Sequence, residues 1–215
     1  MKNTILFDLD GTLTDPKEGI TKSVAYALRQ YGIQADPDDL TDFIGPPLVD
    51  SFMKYYGFTY EQGKEGELKY REYFSVTGWA ENVPYPGIFD LLQSLKDAGK
   101  RLLIATSKPE LFSLRIVEHF GLAPYFDLVC GAPMDDIEAG RKPAVIRETL
   151  RRSGTPLSDA VMVGDRRHDI EGAHQVGLPA VGVLYGYGDR AELEAAGADA
   201  IAEDLEQLRS LLLNL

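Results

Sequence analysis

Five short apolar runs punctuate the chain: Ile5-Leu6-Phe7, Leu102 to Ala105, Phe126 to Cys130, Ala160 to Val163, and Ala180 to Val183. Each is too short for a helix, so they are predicted as buried core strands. Between the later runs, apolar residues recur at near-helical spacing. Leu111, Leu114, Ile116, Val117 and Phe120 form one face, and Val145, Ile146 and Leu150 another. Leu205, Leu208, Leu211 and Leu212 predict a last helix over 204–213. Strands alternating with helices predict an α/β fold with a doubly wound, mainly parallel sheet. Its crossovers should be right-handed.

Residues 15–82 break the alternation. Ile20, Val24, Ala27, Leu28 and Tyr31 have helical periodicity. Phe52, Tyr55 and Tyr56, then Leu68, Tyr70, Tyr73 and Phe74, suggest further helices, and Gly45-Pro46-Pro47 divides the segment. The segment reads as a helical insertion in a core built from 1–14 and 83–215. Tyr85-Pro86-Gly87 marks the return to the core, with a helix near 88–98.

A length of 215 residues suits one large domain, or a core with a smaller insertion. The net charge of −12 argues against nonspecific binding to nucleic acid or an anionic membrane. It also means that an anionic substrate would need local cations. Cys130 is the single cysteine, so no intrachain disulfide can form. That fits a reducing cytosol, and its apolar run makes Cys130 a buried thiol. No run approaches the roughly 20 apolar residues of a membrane span, and Asp8 interrupts any amino-terminal leader early. A cytoplasmic location is the expectation.

Chemistry gathers where the strands end. Asp8 and Asp10 flank Leu9 at the carboxyl end of the first run, and Gly11-Thr12 follows at once. Open α/β sheets bind ligands at this edge. Residues two apart on a strand point the same way, but a turn starting at Asp10 lets the two carboxylates approach one centre from different directions. Carboxylates crowded there need a cation or a shared proton. Alone, the string also has a plain reading as a solvated Asp-Gly turn. The second run ends in Thr106-Ser107, Lys142 stands in Gly140-Arg141-Lys142-Pro143, and the fourth run ends in Gly164-Asp165, with Asp169 four residues on. Each has a plain structural reading: a helix cap before Pro109 for Thr106-Ser107, a solvated lysine for Lys142, a loop or Lys142 anchor for Asp169. In that order, a carboxylate, a hydroxyl, a lysine and a second acidic cluster form one phosphate-handling constellation.

These strings resemble the haloacid dehalogenase superfamily, and within it the phosphoglycolate-phosphatase-like and 5′-nucleotidase-like phosphatases. Asp8-Leu9-Asp10-Gly11-Thr12 matches the first family motif, Thr106 the second, Lys142 the third, and Gly164-Asp165-Arg166-Arg167-His168-Asp169 the fourth. The string Gly182 to Gly188 adds to the likeness. The resemblance implies a Rossmann-like core, with the insertion as a helical cap over the active site. It implies Mg²⁺-dependent hydrolysis of a small phosphorylated metabolite, of the phosphoglycolate or nucleoside monophosphate class. Asp8 would be the nucleophile that forms an aspartyl-phosphate, and Asp10 the general acid and then base. Thr106, Ser107 and Lys142 would hold the phosphoryl group. Asp8, Asp165 and the Asp10 backbone carbonyl would ligate Mg²⁺, with Asp169 binding directly or through water.

Within the family, Asp10 separates this chain from the dehalogenases and the phosphonate-cleaving members. Thr12 favours phosphatases over sugar-phosphate mutases, where valine is common. A sugar-phosphate mutase stays open as an alternative, as does a noncatalytic phospho-acceptor like a receiver domain, although the long insertion and the DxDGT order speak against the latter. His168 reads as a loop residue, and His119 and His174 as structural. Gly186-Tyr187-Gly188 follows a strand, but a glycine pair alone does not mark a phosphate loop. The expected partner is a small-molecule phosphate ester, with no nucleic acid and no membrane. The sequence sets no oligomeric state.

Overall fold

The computed structural model describes residues 2–215. They form two compact units, one of residues up to Asp15 with Pro84–Leu215, the other Pro16–Val83. The larger unit carries a six-stranded parallel sheet of β1 (Thr4–Phe7), β4 (Arg101–Pro109), β5 (Leu128–Ala132), β6 (Ala160–Gly164), β7 (Ala180–Val183) and β8 (Ala200–Ala202), in the order β5-β4-β1-β6-β7-β8. A separate two-stranded sheet pairs β2 (Thr14–Asp15) with β3 (Val83–Pro84). The unit's helices are α4 (Ile88–Asp97), α5 (Glu110–His119), α6 (Lys142–Ser153), α7 (Arg167–Val176), α8 (Arg190–Ala195) and α9 (Leu205–Leu213).

All four residues of β1 are buried, as a strand covered on both faces requires. Leu6, Leu103 and Met162 pack on one face with Val145 and Ile146 of α6 and Ile170 and Ala173 of α7. The alternate positions Ile5, Phe7, Ile104 and Val163 are buried as well. Phe7 is in register with Ile104 on one side and with Val163 on the other. The strand order reverses at β1, so the residues after Phe7, Ile104 and Val163 emerge together at the switch point, where such sheets bind ligands.

The structure departs from the periodicity at β5 and β8. The run at Phe126 enters the sheet only at Leu128, because Ala123–Tyr125 forms a 3₁₀ turn that delays it. The short strand β8 carries no apolar run long enough to mark it. Cys130 is fully buried in β5. Among the described residues, no helix is long and apolar enough to cross a membrane.

The smaller unit contains α1 (Lys17–Arg29), α2 (Leu48–Tyr56) and α3 (Tyr60–Tyr73), with a 3₁₀ segment at Pro37–Phe43 and a π-helical turn at Phe74–Gly78. A capping box starts α3: Gln62 N donates to Thr59 Oγ1 at 3.3 Å, and Thr59 N donates to Gln62 Oε1 at 2.9 Å. Its core is aromatic, with Phe43 5.1 Å from Phe52 and Phe52 5.6 Å from Phe58, centroid to centroid. The predicted helix forms as α3, but glycines rather than Leu68 carry much of its buried face. Leu68 is 60% exposed, and the buried residues are Gly63, Gly66 and Tyr70. A Cβ added at Gly66 would stand 3.2 Å from the Phe52 ring, so close helix approach takes the place of a large side chain.

Candidate active site

The first motif leaves the sheet one residue after β1. Asp8 N still donates to Val163 O of β6 at 2.9 Å. The chain then curls, and Leu13 N and Thr14 N both donate to Leu9 O, at 2.9 and 3.1 Å. Gly11 turns it with φ +82°, a conformation that costs a side chain energy, and an added Cβ would overlap the Asp165 carboxylate.

Asp8, Asp165 and Asp169 each offer an oxygen within 4.8 Å of the others, and all three are buried. Asp165 follows β6. Its Oδ1 accepts from Thr12 Oγ1 at 3.2 Å, and its Oδ2 from Tyr187 N at 2.8 Å. Asp169 lies in the first turn of α7, where its Oδ2 accepts from Arg166 N at 3.1 Å. Its Oδ1 is 2.7 Å from Lys142 Nζ, which also lies 2.8 Å from Asp8 Oδ1 and donates to Ala105 O at 3.2 Å. Asp169 thus holds both its own loop and Lys142. The two oxygens facing Lys142 are ion-paired but accept no hydrogen bond of good geometry.

The charges here do not balance, since three buried carboxylates share one ammonium. Burial, then Asp169 and Asp8, hold Asp165 well above the usual carboxylate range. Burial also pushes Asp169 up, to about 6, with Lys142 opposing and Asp8 adding to the rise. For Lys142, burial works against the charge, but Asp169 and Asp8 outweigh it and raise the pKa. A cluster of hard oxygens with unpaired acceptor capacity suits a divalent ion such as Mg²⁺.

Asp10 lies in the turn with its side chain 12% exposed, paired with the ammonium of Lys108. Burial raises its pKa, Lys108 opposes the rise, and Asp8 reinforces it. Lys108 is a site residue that the sequence reading missed. Its only signal was its place two residues after Thr106, in Thr-Ser-Lys-Pro. Thr106 is 2% exposed, and its Oγ1 accepts from Lys108 N at 3.2 Å. It does not cap the next helix: β4 runs on to Pro109, and α5 starts there with no side-chain cap. Ser107 is half-buried beside it. Lys142, read alternatively as solvated, is 5% exposed as the first residue of α6. Burial, then Arg167 and Arg166, lower the His168 pKa. His174 pairs with Asp199 at 2.9 Å.

A family model described as haloacid dehalogenase-like hydrolase matches residues 5–183. The chain is 44% identical over 210 residues to a 5′-nucleotidase of Pseudomonas aeruginosa, covering 97% of this chain and 94% of that protein. It is 37% identical over 211 residues to the tyrosine-protein kinase PtkA of Mycobacterium tuberculosis, covering 97% of this chain and 72% of the relative. A crystal structure described as a predicted phosphatase from Clostridium acetobutylicum superposes with a TM-score of 0.96 at 47% identity, covering all of both chains. The strand-end constellation, the family match and these likenesses agree: the chain belongs to the haloacid dehalogenase-like hydrolase family, among relatives that include its phosphatases.

Proposed function

We propose that this hydrolase cleaves the phosphate monoester of a small metabolite, with nucleoside monophosphates as the first class to test and phosphoglycolate as the second. The observation that carries the reading is the set of Asp8, Asp165 and Asp169 within 4.8 Å of one another, with Lys142 on two of them and Asp10 on the adjoining turn. The likeness to a 5′-nucleotidase supports the order of substrates.

In this reading Asp8 attacks phosphorus, and the P–O bond to the leaving group breaks. Asp10 gives its proton to the departing alkoxide, a role that its raised pKa suits. The aspartyl-phosphate on Asp8 then meets water, Asp10 takes the water proton, and inorganic phosphate leaves with Asp8 restored. Lys142 offsets negative charge on the phosphoryl oxygens, and Thr106 and Ser107 stand at the same strand end to receive them. Asp8, Asp165 and the Asp10 backbone carbonyl would hold Mg²⁺, with Asp169 direct or through water, and the ion would supply further charge neutralisation there. The Pro16–Val83 unit would serve as the cap.

A panel of nucleoside monophosphates, phosphoglycolate and sugar phosphates, read by phosphate release with Mg²⁺, tests the proposal. Turnover of at least one nucleotide or phosphoglycolate is expected, and no release from any ester would overturn it. The likeness to PtkA favours a second reading, in which the phosphoryl group passes to an acceptor hydroxyl instead of water. Label retained on an acceptor rather than released as inorganic phosphate identifies that case.

A further inference from the structure

The string Leu184-Tyr185-Gly186-Tyr187-Gly188 has no place in the four motifs, yet it wraps the carboxylate that follows β6. Tyr187 N donates to Asp165 Oδ2 at 2.8 Å. On either side, a Cβ added at Gly186 would overlap Asp165 Cβ and the Gly11 carbonyl, and one at Gly188 would overlap the Asp165 carbonyl. Only glycines allow the loop to lie this close to Asp165, so the pair serves close backbone approach rather than phosphate binding. The loop is fastened at two further points. Tyr185 Oη donates to Thr12 O at 3.1 Å, and Tyr187 Oη donates to Asp15 Oδ1. The ring of Tyr85 meets that of Tyr185 edge-on, with centroids 5.1 Å apart.

These bonds close a ring of contacts. Thr12 holds one oxygen of Asp165 by its side chain and the Tyr185 phenol by its carbonyl, and Tyr187 holds the other oxygen by its amide and Asp15 by its phenol. The segment after the first motif and the loop after β7 therefore clamp Asp165 from both sides. A ligand carboxylate fixed in this way loses little freedom on binding a cation, and its remaining lone pairs are aimed by the clamp. We propose that the 184–188 loop is the seat of Asp165, and that Tyr187 is a positioning residue that sets the protein's affinity for a divalent cation through its bond to Asp15. The inference rests on the reading that Asp165 ligates the ion.

Outer partners of metal ligands typically cost about 10–100-fold in affinity when removed, and the Tyr187 phenol stands one bond further out. Tyr187→Phe should therefore weaken binding by about 3- to 10-fold. The probe is Mn²⁺ titrated into the full-length protein, with free ion read by electron paramagnetic resonance and Mg²⁺ competed against it. Asp15→Ala removes the same bond from its other end and should weaken binding equally, which keeps the test open if Tyr187→Phe fails to fold. The two changes together should weaken binding no more than either alone, and Asp15→Asn, which keeps an acceptor oxygen, should bind as wild type. Tyr26→Phe is the control, because it also deletes a phenol–carboxylate bond, to Glu72 at 3.0 Å, within the Pro16–Val83 unit. Its Mn²⁺ affinity should be unchanged. Folded Tyr187→Phe or Asp15→Ala protein that binds Mn²⁺ as tightly as wild type would overturn the proposal, as would an equal loss in Tyr26→Phe. If the affinities follow this order but no phosphate ester is hydrolysed, the proposed function fails and the clamp stands.

Discussion

Lys142→Met isolates one buried charge. Methionine keeps an unbranched stem along Gly172, where an added Cβ would meet Lys142 Cγ at 2.8 Å, and deletes the ammonium. That ammonium stands 2.8 Å from Asp8 Oδ1 and 2.7 Å from Asp169 Oδ1. At an effective dielectric near 20, each contact has a gross attraction of about 6 kcal/mol. Desolvation offsets much of this, and removing one partner of a buried pair typically costs about 3–5 kcal/mol net. Metal-free Lys142→Met should therefore be less stable than wild type by about that amount near pH 8 in denaturant unfolding with chelator present.

The deficit should depend on pH with a definite sign. Asp169 is already raised to about 6 with Lys142 opposing the rise, so losing Lys142 raises it further. A carboxylate with a raised folded-state pKa binds a proton that the unfolded chain has released. Its contribution is present below the unfolded value and is lost as pH rises through the folded one. The slope is at most about 1.4 kcal/mol per pH unit for one proton, so the deficit should be smaller near pH 6 than near pH 8. Saturating Mg²⁺, binding only the folded state, should recover part of it. A variant as stable as wild type in chelator near pH 8, or a deficit that grows on acidification, would refute the buried-charge argument.

Asp8→Asn should lower phosphate release by about 10⁴-fold or more while leaving thermal unfolding cooperative, because an amide is nearly isosteric but not an anionic nucleophile; near-normal release by verified pure protein would contradict this. Mg²⁺ should support turnover and Ca²⁺ support it poorly, since the larger ion tolerates irregular, higher coordination; full activity in chelator after elemental analysis confirms metal removal would count against the site. Thr12→Val deletes the 3.2 Å bond to Asp165 Oδ1 without changing side-chain shape, and Mg²⁺ affinity by calorimetry should fall about 10-fold; unchanged affinity would remove Thr12 from the ligand's support.

The core sheet was legible because each buried strand is a continuous apolar run ended by a small or polar residue. Phe7-Asp8, Ala105-Thr106 and Val163-Gly164-Asp165 all mark the same edge, and the register of β1 with β4 and β6 brings them level. Periodicity was weakest where few apolar side chains carry the packing. Gly63 and Gly66 bury α3 by close approach, and β8 spans only three residues. At the site, the sequence motifs named residues but, apart from Asp169 as an anchor for Lys142, not their pairing. Lys108 reaches Asp10 because β4 continues past Thr106, a length that the apolar run ending at Ala105 does not announce. The Tyr187 amide reaches Asp165 across 22 positions of sequence, through glycines whose pattern resembles a loop of any kind.

The central claim is that Asp8 carries the phosphoryl group between two displacements. A rapid-quench experiment with a phosphoryl-labelled ester that the protein hydrolyses tests it most directly. The account predicts a base-labile label on the protein that rises and decays within a single turnover, maps to the peptide containing Asp8, and is absent from Asp8→Asn. Full turnover with no label at any quench time, or a label on a residue other than Asp8, would contradict it.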